Sequence, residues 1–363
     1  MPPQQSKVKE FKFSATSAFL KVRQRSKLFK LAGDESKSSK GIKQTKQNED
    51  AKTNLNSFDL TSMPMKDKES CEVIIEALSN NEIESAARSS FEYFKYVVPD
   101  PKSGRSCVVD DKIRRMYAMK MARRHLVAEK GNTVAAIQKM KSTIAFREDM
   151  NIDAMRQCFY NLNYEESKVL TQMRKGLERE LSDGKHIVRG HDLANHSFFI
   201  IFPRRYTSFD QDWYLKGKLY SLERAIAYTE RISGGTVEKV NVVFDYKDYV
   251  PEKHEPPLSL IKELLFCLRD HYPERLEHMF FIDAPFRFRA FWALVKPFID
   301  PVTKRKIQFI SGNAQKHSAF QGFVAPDESM SFMHLNGCRP DEYNIEKWTY
   351  MIPFDYDVDQ SPL

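Results

Sequence analysis

The chain has 363 residues, 41% of them hydrophobic, enough for two ordinary domains or one large one. Its longest strongly apolar runs reach about ten residues, short of the ~20 that a membrane-crossing helix needs, and the opening MPPQQSKVKE lacks the apolar stretch of a secretory leader. The net charge of +8 is uneven: residues 1–70 hold 15 Lys or Arg against 8 Asp or Glu, and the other 293 residues hold 42 against 41, which argues against a nucleic-acid partner for the folded part.

Five cysteines, Cys71, Cys107, Cys158, Cys267 and Cys338, lie far apart with no CxxC pair. Structural zinc is not expected from such spacing, and a scattered odd set suits a reducing compartment. In chain order, residues 1–70 read as a mostly disordered basic tail, rich in Lys, Ser, Gln and Asn. Within it, FKFSATSAFLKVRQRSKLFK, residues 11–30, mixes aromatic and aliphatic residues with cations and has no acid. It is either a solvated tail, a basic amphipathic segment for an anionic surface, or a transit-like start.

Residues 71–182 read as a helical lobe. Asp110 or Asp111 can cap a helix to about Ala128, and Asn132 can cap the next. In that second helix Val134, Ile137, Met140 and Ile144 make one apolar stripe. A further helix runs from about Glu165 to Leu181 and stops near Gly184.

From Lys185 the period changes. HIVRG and HSFFIIF read as strands about a polar turn, and a helix from about Phe209 to Ile232 stops at Gly234-Gly235. Then come VEKVNVVFD (strand), LSLIKELLFCLRDHY (helix), HMFFID (strand), APFRFRAFWALVKPF (helix) and KRKIQFI (strand). This alternation predicts an α/β lobe, residues 183–326, with a mainly parallel sheet and crossover helices. Residues 327–363 form a C-terminal extension with aromatic anchors such as Trp348, Tyr350 and Phe354, in which no site is legible.

No GxxxxGK[ST], GxGxxG after a strand, or GxSxG is present. His186, His191 and His196 recur at five-residue steps, which would scatter metal ligands, so they read as surface or turn histidines. Glu223 and Glu230 sit seven apart on a helix whose apolar side holds Leu219, Leu222 and Ile226, and read as a solvated face. No catalytic residue and no enzymatic activity is predicted.

The segment from Ala284 to Phe298 sets Phe286, Phe288, Phe291, Trp292, Val295 and Phe298 among Arg287, Arg289 and Lys296. On the residues alone it is either a core helix with snorkelling cations or a surface that meets lipid. The surrounding string HYPERLEHMFFIDAPFRFRAFWALVKPFIDPVTKRKI, residues 271–307, resembles the CRAL-TRIO lipid-binding family, which includes phosphatidylinositol transfer proteins and retinal- and tocopherol-binding proteins. The residues that carry it are YPER (Tyr272 to Arg275), Ala284-Pro285, and KPF…DPVT (Lys296 to Thr303). Arg124, Leu126, Ala128 and Lys130, Phe146-Arg147, Arg189 to Asp192 and Asp245 add support.

The resemblance implies a helical N-terminal lobe, a lipid-binding lobe enclosing one lipid as ligand without a cofactor, and a mobile gate helix over residues 286–298. It implies headgroup contacts at Glu274, Thr303 and Lys306. Of the two basic positions used by the phosphoinositide-binding branch, the first is Glu129 here and only the second, Lys130, is basic. The family's phosphatidylcholine contacts fall at Val240 and Val242, which cannot donate to phosphate. The expectation is a cytoplasmic, monomeric carrier, transiently at membranes, of phosphatidylinositol or a related lipid. A carrier of another lipophile, such as a sterol, tocopherol, retinoid or carotenoid, and a membrane-sensing adaptor without transfer activity are the rivals.

Overall fold

A computed structural model describes residues 63–99, 106–108, 110–159 and 167–324. The proposed tail segment 11–30, the C-terminal extension from 327 and the remainder of residues 1–62 lie outside the described residues.

The first lobe opens with α1 (Met65–Glu76) and α2 (Asn80–Ala87). Helical structure therefore begins before residue 71, with Met63 already buried. Ser79 starts α2 through a capping box in which its hydroxyl and the Glu82 carboxylate each take the other residue's backbone N–H. A short antiparallel pair, β1 (Val97–Pro99) and β2 (Ser106–Val108), interrupts a stretch that reads as wholly helical in sequence.

Then follow α3 (Asp111–Ala128), α4 (Thr133–Asp149), α5 (Ile152–Gln157) and α6 (Lys168–Leu181). Asp110, Asn132 and Ser167 cap α3, α4 and α6, each accepting a backbone N–H of the first turn. Cys71, Ile75, Ala86, Ala118, Met140 and Ile144 meet in one core. Val134 departs from its expected stripe: it is exposed in the first turn of α4.

The second lobe carries a five-stranded sheet in the order β3 (His186–His191), β4 (Ser197–Ile201), β5 (Val240–Asp245), β6 (Leu276–Ile282) and β7 (Ile307–Ile310). The β3–β4 pair is antiparallel and the rest are parallel. Each parallel step moves to the next neighbour in the same direction. Right-handed crossovers then place every connecting helix on one face of the sheet.

Those connections are α7 (Gln211–Ile232), α8 (Pro251–His254) with α9 (Leu258–His271), and α10 (Phe288–Val295) with α11 (Pro301–Arg305). Gly234 and Gly235 end α7 with left-handed backbones, φ 61° and 80°, which glycine adopts without a Cβ penalty. The opposite face, with Phe198, Ile200, Val243, Phe280 and Ile282, is covered by Phe320 of α12 (Gly312–Phe320) and by Val324.

Two sequence readings are corrected by this packing. His186 and His196 are buried. His186 Nε2 meets the Tyr206 hydroxyl at 2.6 Å and Lys218 Nζ at 2.9 Å beneath α7, and His196 Nδ1 meets the Asp192 carboxylate at 2.8 Å. The tip of the β3–β4 turn, Leu193 and Ala194, stays exposed, but the buried Asp192 carboxylate, which also accepts from Asn241 Nδ2 at 2.9 Å, holds His196 inside. Glu223 and Glu230 are also buried, because α7 is covered on both sides: the sheet on one, the first lobe on the other.

Candidate functional site

Helix α10 lies across an aromatic floor laid by the parallel strands. Period-two alternation puts Val240, Val242 and Phe244 of β5 on the same side as Met279 and Phe281 of β6, and Ile307 and Phe309 of β7. Phe288 is buried on this floor, its ring 4.9 Å from that of Tyr246 and 5.0 Å from that of Phe281. Half-buried Trp292 reaches Phe281 at 5.7 Å and Phe309 at 5.5 Å, and Val295 completes the inward stripe. The side chain of Phe291 lies outside the described residues.

The other residues assigned to this segment separate. Phe286 precedes the helix and is 80% exposed, and Leu294 points outward at 58% exposed. Phe298 sits in the 3₁₀ turn Lys296–Phe298, its ring 5.9 Å from Phe266 of α9 and beneath Lys262.

Both ends of the helix are pinned at short joints. Before it, Asp283 has a left-handed backbone (φ 50°), accepts the Gly312 N–H at 3.0 Å and pairs with Lys316. After it, Pro297 ends the α-helical turns, and Asp300 caps α11 by accepting the Val302 and Thr303 N–H groups at 2.8 and 2.9 Å. Burying Phe288, Val295 and part of Trp292 is worth about 1.5–3 kcal/mol each in water. Lifting the helix in water thus costs several kcal/mol, and acyl chains in place of the sheet would offset it.

At the start of β6 and the end of α11 a mixed-charge group forms. Lys306 Nζ donates to the Leu276 carbonyl at 2.6 Å. Burial and the nearby Lys239 pull its pKa below the ordinary lysine value, while Glu274 and Glu277 favour its charge. Lys239 pairs with Glu277 at 3.0 Å. Glu274 holds a left-handed backbone (φ 56°), and half-buried Thr303 supplies the carbonyl that accepts the Lys306 N–H. Lys306 and Glu274 are thus neighbours. Lys130 is exposed at the end of α3, and no described hydrogen bond or ion pair joins it to the others. Val240 and Val242 are buried in the floor and offer no donor.

Residues 181–333 match the CRAL/TRIO domain. They are a CRAL-TRIO domain. The chain is similar to the phosphatidylinositol transfer protein PDR17 of Saccharomyces cerevisiae, 28% identical over 190 residues that cover 51% of this chain and 50% of that one. It is also similar to the SEC14 cytosolic factor of Kluyveromyces lactis, 25% identical over 197 residues covering 53% of this chain and 63% of that one. The match thus spans about half the length of the first of these relatives. Among solved structures, Sfh5 matches with a TM-score of 0.51 at 15% identity, over 81% of this chain and 94% of that one, which supports the fold.

The CRAL-TRIO domain is joined to the helical lobe by a buried ionic network that sequence reasoning missed. Glu223 of α7 accepts from Arg147 of α4 at 2.6 Å and from the Tyr272 hydroxyl at 2.8 Å, with Arg156 3.9 Å away. Burial alone would raise its pKa, but Arg147 and Arg156 outweigh it and hold the carboxyl down to about 2. Glu230 accepts from the Ser90 hydroxyl and the Phe91 N–H, both at 2.7 Å, and faces Arg275 at 3.5 Å. Arg275 also donates to the Glu238 carbonyl at 2.8 Å, and Arg124 pairs with the Glu238 carboxylate.

The YPER string therefore divides physically: Tyr272 and Arg275 brace Glu223, Glu230 and Glu238, the acids that meet the first lobe, and Glu274 is left to the Lys306 group. A small cavity lined by Arg124, Arg147, Glu223, Tyr272 and Arg275 lies at this joint. It is also lined by His125 and His271, whose pKa values burial pulls down to about 3 and about 4. The signal in sequence was two arginines, Arg147 on α4 and Arg156 on α5, matched to one acid, Glu223, on α7, invisible without the fold. No helix among the described residues is long and apolar enough to cross a membrane.

Proposed function

We propose that this chain encloses one lipid, phosphatidylinositol or a related lipid, between the sheet floor and α10, and exchanges it with membranes on which it docks transiently. The observation that carries the reading is the seating of Phe288 and Trp292 on Phe281 and Phe309, beside the Lys306–Glu274 group. A two-chain lipid exposes about 30 methylene groups in water, at about 0.8 kcal/mol each, so unaided escape from a bilayer is slow. An apolar cavity that opens only against acyl chains lowers that barrier without covalent chemistry.

For the headgroup, Lys306 supplies a point charge for phosphate, Thr303 a neutral donor and Glu274 an acceptor for ring hydroxyls. Lys239 adds a second cation at the same place. Lys130 belongs to this set by family resemblance. The relatives named as phosphatidylinositol transfer proteins support the assignment. Phosphatidylcholine is disfavoured because Val240 and Val242 cannot donate. A second reading, a neutral lipophile such as a sterol or tocopherol, draws on the same all-apolar floor.

Mass spectrometry of lipid co-purified with the full chain separates these readings, and transfer between vesicles separates a carrier from an adaptor. Phosphatidylinositol in the protein with transfer between vesicles is the expected result. A neutral lipophile, or no transfer, overturns it.

A further inference from the structure

The joint between the two lobes holds more positive than negative charge. Arg124, Arg147, Arg156 and Arg275 meet three carboxylates, Glu223, Glu230 and Glu238, in one network whose side chains are at most 11% exposed. His125 and His271 add no charge at neutral pH, because burial holds their pKa values at about 3 and about 4. Lys120 and Glu92, buried together beside Gly235, cancel. Asp153 lies 3.8 Å from Arg156, but it is 42% exposed and water screens it. The buried network is therefore one positive charge in excess. Burial and the facing Arg275 pull the Arg124 pKa down to about 10, as expected where like charges crowd.

Two polar atoms at the same place lack a protein partner. Arg147 Nη1 donates to Glu223, but Arg147 Nη2 has no hydrogen-bond partner among the described residues, and neither has the Ser89 hydroxyl. Arg147 is 8% exposed and Ser89 3%. Both line the cavity at the joint, beside Arg124 and Arg275, and its volume of about 10 Å³ takes one guest of roughly water size.

We propose that this cavity is a binding site for one small monovalent anion, of which chloride is the abundant example, and that the anion ties the helical lobe to the CRAL-TRIO domain.

The guest has to accept hydrogen bonds, since a guanidinium can only donate and the Ser89 hydroxyl can turn to do so. It also has to be small: a phosphate or a carboxylate exceeds the space. A water would accept from Arg147 but would leave the excess buried charge without a counter-charge, which is costly in a dry site. A halide supplies acceptor and charge together. The groups around it come from both lobes. Ser89 follows α2, Arg124 lies on α3 and Arg147 on α4, whereas Arg275 leads into β6. The site is complete only when the lobes are docked, so the anion stabilises the docked form by mass action. None of these four residues belongs to the sheet floor or to α10, so the site stands or falls independently of the lipid reading.

The test uses the full chain. Thermal melts are recorded at neutral pH and fixed ionic strength while sodium chloride replaces sodium gluconate, whose anion is too large for the cavity. The parent melt should rise by about 3 °C for each tenfold increase in chloride above the dissociation constant. Ser89→Ala removes one donor and little volume, and in that variant the rise should set in at about tenfold higher chloride. Crystals of the parent grown in sodium bromide should show an anomalous-scattering peak within hydrogen-bond reach of Arg147 Nη2 and Ser89 Oγ. A parent melt indifferent to chloride overturns the proposal. An equal chloride response in parent and variant also overturns it, because the anion then binds elsewhere, and so does a cavity that holds water in place of bromide.

Discussion

Placing Asp at Trp292 separates a gate from an ordinary core helix. In the closed structure Trp292 is half-buried, its ring against Phe281 and Phe309 at 5.7 and 5.5 Å. A fully buried Trp covers about 200 Å² or more, so losing half of that at 25 cal/mol per Å² costs about 2–3 kcal/mol. For roughly 250 folded residues, at about 2.1 cal/mol/K each, that lowers the melting temperature by about 4–6 °C, leaving a folded protein. The carboxylate can still reach water from this rim position. If α10 opens onto a bilayer, the same carboxylate must enter acyl chains, at about 3 kcal/mol by insertion scales, or more than a hundredfold in exchange rate. Thermal melts and vesicle-to-vesicle exchange are measured on the same preparation, with exposed Leu294→Asp as a comparator. That comparator should leave the melt within about 0.5 kcal/mol of parent and still lose exchange. Parent-like exchange in a folded Trp292→Asp protein would refute the gate, and a collapsed melt would assign α10 to the fixed core.

Four further outcomes follow from the same structure. Lys306→Ala should weaken phosphatidylinositol loading by about 1–3 kcal/mol, read by quantifying bound lipid, with only a small loss of stability from the Leu276 carbonyl contact. Glu223→Gln should lower stability by about 3–5 kcal/mol in chemical denaturation, because Arg147 and Arg156 then stay buried without their partner. Acidification should destabilise the chain in two windows. His125 and His271 have folded pKa values below the ordinary 6.5, so the unfolded chain takes up their protons first and stability falls as pH drops from about 6.5 toward about 4 and about 3. Glu223 adds a second loss as pH falls from about 4.5 toward about 2, and melts at stepped pH read both. Removing residues 1–62 should keep the parent melt and reduce attachment to anionic vesicles at low salt, whereas removing 1–70 cuts into α1 and should lower the melt.

The alternation of strands and helices was legible because the parallel sheet needs a crossover after each strand, and the capping residues Asp110 and Asn132 stand at helix starts in the usual spacing; the Ser167 cap of α6 was not legible, its helix being expected from about Glu165. The acids of α7 were not legible. A seven-residue step looks the same on a solvated face and on a face covered by a second lobe, and only Arg147 and Arg275 brought from elsewhere distinguish the two. The histidines failed for the same reason: His186 is buried by Tyr206 and Lys218, neither adjacent in sequence. The inward stripe of Phe288, Trp292 and Val295 could be read from helical spacing, but the seat it occupies could not. Phe281 and Phe309 belong to different strands, and the parallel register of β6 and β7 sets them side by side.

The most direct test of the account is the lipid itself. The full chain, purified under native conditions, is analysed by native mass spectrometry for bound lipid, and then mixed with donor vesicles carrying labelled phosphatidylinositol and unlabelled acceptors. One phosphatidylinositol per chain, with label moving to acceptors in proportion to protein, is the predicted result. A chain that carries no lipid and moves no label would contradict it.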